Sequence, residues 1–480
     1  MLTLINTNRM LPPIGPLGLE YVAGVTRRAG IETDILDLCL VDDPAKAMQD
    51  YFATHSPGLV GLSFRNVDDC FWPSAKSFLP ELTENIRLLR KLTDAPIVVG
   101  GVGFSIFPER VVEHTSVDFG IRGDGEQATI SLYKALENSQ QLNRIDGLIW
   151  RQGDEIRSNP PAWPAELDMV TSRDVIDNRT YFNRGGQVGI ETKRGCDRKC
   201  IFCADPLAKG CTTRTRTPSA VADEVEALIA QGVNVMHLCD SEFNIPRDHA
   251  FAVCAELNQR GLGEKVRWYG YLAVTPFDAK LAEAMSRAGC VGINFTGDSA
   301  CEAMLKTYRE PHRSGDLTSA VELCRRNNIA VMFDLMLGGP GETEETAKET
   351  IEFIKQISPD CAGAALGIRI YPGTEMAQIV AAQGPLETNP NILRKYEGPI
   401  DFFKPTFYIS HALGSNPARL IKDLIGGDKR FFEPTEEVQD SQVNAATSSD
   451  QNYNDNTDLV EAIKSGQRGA YWDILHRLRQ

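Results

Sequence analysis

Two consecutive series of short apolar runs, each run separated from the next by an amphipathic stretch, occupy most of the 480 residues. In the first series the runs are "LTLIN" (2–6), "TDILDL" (33–38), "GLVGLS" (58–63), "PIVVGG" (96–101) and "VDFGIR" (117–122). Such runs are buried on both faces, and the helical spacing between them, as in 18–29 and 78–92, supplies the covering layers. The alternation predicts an α/β fold that begins with a parallel, doubly wound, Rossmann-like five-stranded sheet over residues 1–140. A second series follows: "QVGIETK" (187–193), "NVMHLC" (234–239), "VRWYGY" (266–271), "VGINFT" (291–296), "AVMFDLML" (330–337) and "GAALGIRI" (363–370). Six β/α units predict a partial barrel, open on one side, with its chemistry at the carboxyl ends of the strands.

Turn chemistry marks the boundaries. "DGLIWRQGDEIRS" (146–158) reads as a hairpin and "NPPAWP" (159–164) as a break, so 141–186 becomes a hairpin and linker, and 187–371 the barrel. Residues 372–434 form a mixed C-terminal α/β extension. The polar stretch 435–458 reads as a flexible linker, and 459–480 regains the periodicity of a terminal helix.

A net charge of -15 argues against a broad grip on nucleic acid or on an anionic membrane, which leaves a small-molecule substrate as the expected partner. No run of about 18 apolar residues is present, and "MLTLINTNRML" lacks a basic leader followed by an apolar core, so a cytoplasmic protein is expected. The twelve cysteines are spread thinly except at one place. There, "KRGCDRKCIFCADP" (193–206) sets Cys196, Cys200 and Cys203 in C-x3-C-x2-C spacing directly after the first strand of the barrel series. Structural zinc takes four ligands, usually from two separated knuckles; Cys211 could serve as a fourth, but the spacing fits no zinc pattern. An iron-sulfur cube held by three thiolates keeps one iron open for a ligand that comes and goes.

On these residues the chain resembles the radical S-adenosylmethionine enzymes, whose triplet also carries an aromatic, here Phe202, before the last cysteine. "LCDSEFN" (238–244), "FTGDS" (295–299), "LGGPGET" (337–343) and "RIYPGTEM" (369–376) lie at the predicted ends of strands two, four, five and six. They resemble segments of the subfamily that joins such a barrel to a cobalamin-binding domain; "FTGDS" departs from the Gly-Glu-Ser more usual there. The resemblance implies a [4Fe-4S] cluster on Cys196, Cys200 and Cys203 that binds and cleaves S-adenosylmethionine, giving a 5'-deoxyadenosyl radical. It places Phe202, Asp240, Glu242, Asn294, Asp298, Gly338, Gly339 and Arg369 around S-adenosylmethionine. In physical terms, Gly338, Gly339 and Gly341 let a backbone approach a flat group, and the acids can accept bonds from ribose hydroxyls or an ammonium, or simply cap helices.

"PPIGPLGLEYVAGVTRRAG" (12–30) resembles the opening of the subfamily's cobalamin domains. The resemblance implies bound cobalamin near Ser63, Arg65, Asn66, Gly100 and Gly101. The D-x-H-x-x-G signature that supplies a histidine to cobalt is absent, His55 and His114 reading as helix or helix-end residues, so the lower face of cobalt is open or approached by Arg65 or Asn66. A methyltransferase acting on an unactivated carbon of a small molecule is thus expected, with a flavodoxin or ferredoxin as electron donor. The rival readings are radical cyclisation, rearrangement or aminocarboxypropyl transfer without cobalamin, a tRNA methylthiotransferase, and a non-enzymatic metal module. Trp268, Tyr269, Tyr271, Phe407 and Tyr408 are candidate pocket aromatics, with core packing the alternative for each.

Overall fold

The computed structural model describes residues 1–138, 140–167, 169, 173–436 and 452–480. The first sheet contains β1 (Leu2–Asn6), β2 (Thr33–Asp37), β3 (Leu59–Ser63), β4 (Ile97–Gly100) and β5 (Phe119–Ile121), all parallel, in the order β2-β1-β3-β4-β5. The hairpin β6 (Leu148–Gln152) and β7 (Glu155–Ser158) is present, but it continues this sheet antiparallel to β5 instead of standing in the linker. Pairing Phe119 with Trp150 gives the last parallel strand a partner and moves the exposed edge to β7. Helices Pro44–Phe52, Leu79–Leu92 and Pro108–Thr115 bury their apolar stripes on one face, and helices Leu17–Arg28 and Gly125–Asn138 on the other. Strand order reverses between β1 and β3, and the crevice beyond their carboxyl ends is where such sheets hold ligands.

The second sheet begins with β8 (Gly189–Ile190), after which β9 (Lys193–Arg194) and β10 (Arg214–Thr215) form a small antiparallel ribbon around the cysteine loop. It continues with β11 (Val235–Leu238), β12 (Arg267–Ala273), β13 (Cys290–Asp298), β14 (Ala330–Leu337) and β15 (Cys361–Leu366), all parallel. The last expected strand is cut at Gly367, whose φ of 94° turns the chain out of the barrel. Beyond it, β16 (Ile368–Arg369) pairs with β18 (Thr406–Tyr408), which also pairs with β17 (Ile392–Arg394). A seventh barrel strand, β19 (Phe431–Phe432), is too short to show any periodicity and closes on β15.

The C-terminus forms two helices, Thr457–Lys464 and Tyr471–Arg479, where one was expected. Gly466 and Gly469, at φ of 101° and 149°, lie in the break between them. Trp472 packs edge-on against Tyr269, and the Tyr269 hydroxyl donates to Asp473 at 2.7 Å, so the last helix lies against the barrel sheet. Of the expected flexible linker, 437–451 lies outside the described residues. Residues 452–456 are docked: Asp455 N donates to Leu11 O at 2.7 Å, and its carboxylate pairs with Lys76 at 2.9 Å.

Buried ions join the two sheets. Arg173 bonds Glu20 of the first domain and Glu224 of the barrel, Arg216 adds a second cation to Glu224, and the Tyr21 hydroxyl donates to the same carboxylate. All five side chains are essentially inaccessible to solvent. Asp68 and Arg369 form a second buried pair across the boundary, at 2.8 Å.

Candidate active site

The cysteine loop is held from three sides. Gly195 opens it with φ of 82°, where a Cβ would collide with the Thr212 carbonyl. Ile201 N donates to Tyr308 O at 3.3 Å, Met376 N donates to Ile201 O at 2.8 Å, and the Phe202 ring sits edge-on to Tyr308 with centroids 5.9 Å apart. Arg194, the residue before the glycine, reaches Glu191, Glu126 and Asp124, so the "RGDGE" turn of the first domain grips the base of the loop. The loop lies beyond the carboxyl end of β8, as a catalytic segment of a barrel should.

Burial raises all three thiols out of their ordinary range. Cys203 is pushed up to about 12, with Asp205 and Cys196 adding to the effect, and Cys200 rises further beside Glu310. One buried and two half-buried thiols, with Cys203 opposing the ionisation of Cys200 and Cys196 that of Cys203, become thiolates most readily around a concentrated positive charge, which an iron-sulfur cube provides. The donor set therefore fits the cluster.

Carboxylates crowd the same rim. Thr296 donates to Glu242 Oε1 at 3.0 Å, while Glu242 Oε2 is buried with no partner, and burial with nearby Glu310 pushes its carboxyl up to about 7. Asp298 sits at φ of 50°, a strained value for a non-glycine residue, and burial beside Glu310 raises its carboxyl strongly. Glu310 Oε1 and Asn294 Oδ1 are also buried without donors. Orphaned acceptors at this density call for a ligand rich in N–H and O–H groups, and an ammonium and ribose hydroxyls are such donors.

On the facing domain, Arg65 and Arg9 project from the ends of β3 and β1 and are exposed. With Asn8, Asn66, Lys76 and Glu81 they line a cavity of about 70 Å³ at the switch point. Gly101, at φ of 108°, brings the chain so near β3 that a Cβ would stand 2.7 Å from the Phe64 carbonyl; beside Gly100 nothing stands closer than 3.7 Å. Ser63 offers its carbonyl to Thr7 at 2.6 Å. Exposed and half-buried polar side chains at a topological switch point are what a large cofactor with its own hydrogen-bonding periphery can engage, and the residues present fit cobalamin. His55 stacks on Tyr51 and His114 meets Phe403 edge-on, both as packing residues.

Residues 190–354 match the model of the radical SAM superfamily, and residues 5–132 match that of the B12 binding domain. A curated relative, the tryptophan 2-C-methyltransferase of Streptomyces laurentii, is 29% identical over 98% of this chain and 94% of its own length. The solved structure of the radical S-adenosylmethionine methyltransferase TsrM from Kitasatospora setae superposes with a TM-score of 0.91 at 30% identity, covering 99% of this chain and 97% of the other. This chain belongs to the cobalamin-dependent radical S-adenosylmethionine enzymes. The cobalamin-dependent radical enzyme OxsB, at 17% identity and a TM-score of 0.71 over 85% of the chain, shares the fold.

Several residues expected around S-adenosylmethionine have other partners in the enzyme. Arg369 spends its guanidinium on Asp68 and on the carbonyls of Ile370 and Phe402, and stacks over Tyr371, which makes it an interdomain clamp. Asp240 accepts from Thr192 N, Thr192 Oγ1 and Lys193 N at 2.6 to 3.2 Å and so fixes the strand leading to the cysteines. Gly339 is required by Tyr308, whose ring a Cβ would strike, and Gly338 N donates at 2.5 Å to Glu342 inside its own loop. Among the aromatics, Trp268, Tyr269, Phe407 and Tyr408 are buried, while Tyr271 is half-buried. Sequence reasoning missed Glu310 and Arg194. Glu310 follows a helix with no motif around it, and only the fold carries it back to Cys200 and Asp298.

Proposed function

We propose that the enzyme transfers a methyl group derived from S-adenosylmethionine to a carbon of a small aromatic amine such as an amino acid. The observation that carries this reading is the position of Arg65. It leaves the end of β3 in the cobalamin domain, yet lies close enough to Cys239 and Tyr271 of the barrel wall for its charge to ease their ionisation. The carboxyl ends of the two sheets therefore face each other across the domain boundary.

When bound, cobalamin supplies a cobalt able to carry methyl, and the cluster supplies redox chemistry beside S-adenosylmethionine. The chain's own residues hold the pieces in register. Cys196, Cys200 and Cys203 ligate the cluster, and Glu242, Asp298 and Glu310 receive the donors of S-adenosylmethionine. Ser63, Arg65, Asn66, Gly100 and Gly101, at the carboxyl ends of β3 and β4, would border cobalamin. The buried interdomain ions hold the two strand-end surfaces at a fixed separation. An external carrier, a flavodoxin or ferredoxin, belongs to this reading, because the sequence holds one cysteine triplet and no second set. No helix among the described residues is long and apolar enough to cross a membrane.

The test is anaerobic reconstitution with iron, sulfide and hydroxocobalamin, followed by turnover with S-adenosylmethionine and tryptophan. Near-stoichiometric cobalt, about four irons, and S-adenosylhomocysteine formed in step with a methylated product are expected. Iron without cobalt, or product without S-adenosylhomocysteine, would move the enzyme to cobalamin-independent radical chemistry.

A further inference from the structure

The cysteine loop is flanked by cations, and most of them are spent. Arg194 is bound by Glu191, Glu126 and Asp124, Lys209 by Asp205 at 3.2 Å, and Arg198 donates to the Thr275 carbonyl. Lys199 is exposed to water. Lys193 differs from all of these. It is the only buried lysine among the described residues, 1% exposed. Its backbone N–H donates to Asp240 Oδ1 at 3.2 Å, but its ammonium forms no hydrogen bond and no ion pair among the described residues.

The ribbon decides where that charge goes. Lys193 lies opposite Thr215, and Arg194 opposite Arg214. Because Arg194 turns to the acids of the first domain, its neighbour turns the other way, into the barrel behind the cysteines. There its charge eases the ionisation of Cys196, Glu242 and Asp205, although neither carboxylate closes on it as an ion pair. A dry, unpaired ammonium is among the costliest groups a fold can hold. It is accounted for by an anion that the polypeptide does not itself supply. Beside Cys196 that anion is the cluster, since a cube on three thiolates is negative overall and one-electron reduction makes it more so.

We propose that Lys193 is the resident counter-charge of the iron-sulfur cluster, a cation buried behind Cys196 that favours the cluster's one-electron-reduced form. The electron comes from the external one-electron carrier of the reading above. No proton moves and no bond breaks; one added negative charge meets one fixed positive charge. Water screens this attraction little, because the side chain is buried, and at such a site a neighbouring unit charge changes an equilibrium by about tenfold or more. The inference rests on the cluster part of the reading above and is indifferent to which carbon is methylated.

The experiment is a redox titration of the reconstituted full-length enzyme without S-adenosylmethionine, read by electron paramagnetic resonance of the reduced cluster. Lys193→Met keeps the length of the side chain and removes its charge. Its oxidised-to-reduced ratio at a fixed poise should rise by about tenfold or more, which is about 59 mV towards negative potential for one electron, with iron content unchanged. Lys193→Arg keeps the charge and should stay near the wild-type potential. Before reconstitution, Lys193→Met should melt at or above the wild-type temperature, because it relieves an unpaired buried charge, whereas loss of a merely structural lysine lowers that temperature. An unchanged potential in Lys193→Met overturns the proposal, and so does an equal shift in both variants. An unchanged potential with weaker binding of S-adenosylmethionine gives the ammonium to that ligand's carboxylate and overturns it too. Loss of iron in Lys193→Met alone supports the counter-charge; loss in both variants overturns it, since the loop then needs the lysine for its shape. A wild-type enzyme that takes up no iron overturns the cluster reading itself.

Discussion

The two halves of the enzyme are both parallel α/β sheets with their working surface at the carboxyl ends of the strands, but they prepare it in opposite ways. The cobalamin domain presents a shelf of exposed, loosely held polar groups, Arg9 and Arg65 among them, edged by glycines. The barrel presents a buried basin of acids and thiols whose ionisation is suppressed, with three orphaned acceptor atoms among them. A large cofactor that brings its own hydrogen-bonding periphery needs room and little else. A small charged ligand on an iron cube needs preorganised, desolvated partners, and assembling them costs the fold strain and unpaired polar groups.

The sharpest test of that contrast removes one half's cofactor and asks whether the other notices. Cys200→Ala should abolish turnover, by about a thousandfold or more, and strip iron, while cobalt content stays near that of wild type; parallel loss of cobalt would mean that the two sites fold as one. Gly101→Val is the mirror experiment. A side chain at φ of 108°, 2.7 Å from the Phe64 carbonyl, displaces the β3 and β4 ends, and cobalt loading should fall by about tenfold or more with iron unchanged.

Arg173→Met probes what holds the halves together. It leaves Glu20 with Asn178, and Glu224 with Arg216 and Tyr21, but removes the cation shared between the domains, and breaking such a buried pair costs about 3 to 5 kcal/mol. A lower, broadened thermal transition is expected; an unchanged transition would make the network incidental. The smallest effect belongs to the glycine loop of the barrel. Burial pushes the Glu342 carboxyl up to about 7 from an ordinary 4.5, partly offset by the Gly338 and Gly339 amides. A raised acid favours its protonated form in the fold, so its contribution to stability is complete below pH 4.5 and is lost as pH rises through 7. Glu342→Gln should flatten that part of the stability profile, read as thermal transition temperature against pH between 4.5 and 8.

Much of this was legible in the chain itself. The apolar runs of both series became β1 to β5, β8 and β11 to β15, because a strand packed between two layers has one compositional solution. Where the runs were short or interrupted, reading failed: two residues at Phe431–Phe432 carry no period, and Gly367 splits what looked like one strand between two sheets. The hairpin was visible, but not the edge it would join, since pairing partners are set by the sheet and not by the turn. The cysteine loop was readable for a different reason: a cube needs three thiolates at fixed reach from one another, and a single loop meets that need by spacing alone.

The surrounding site was not readable in this way. Arg369 and Asp240 look like ligand residues in the chain and serve as clamps in the fold, while Glu310 looks ordinary and stands beside Cys200 and Asp298. What the sequence by itself determined is the class of each half, through local periodicity, and a cysteine triplet whose spacing and family resemblance point to an iron-sulfur cluster. What only the tertiary structure decided is which carboxylates lose their partners, which arginine crosses from one domain to the other's cavity, and which amide oxygen is left waiting. Those are properties of burial, and burial depends on neighbours brought together from elements far apart in the sequence.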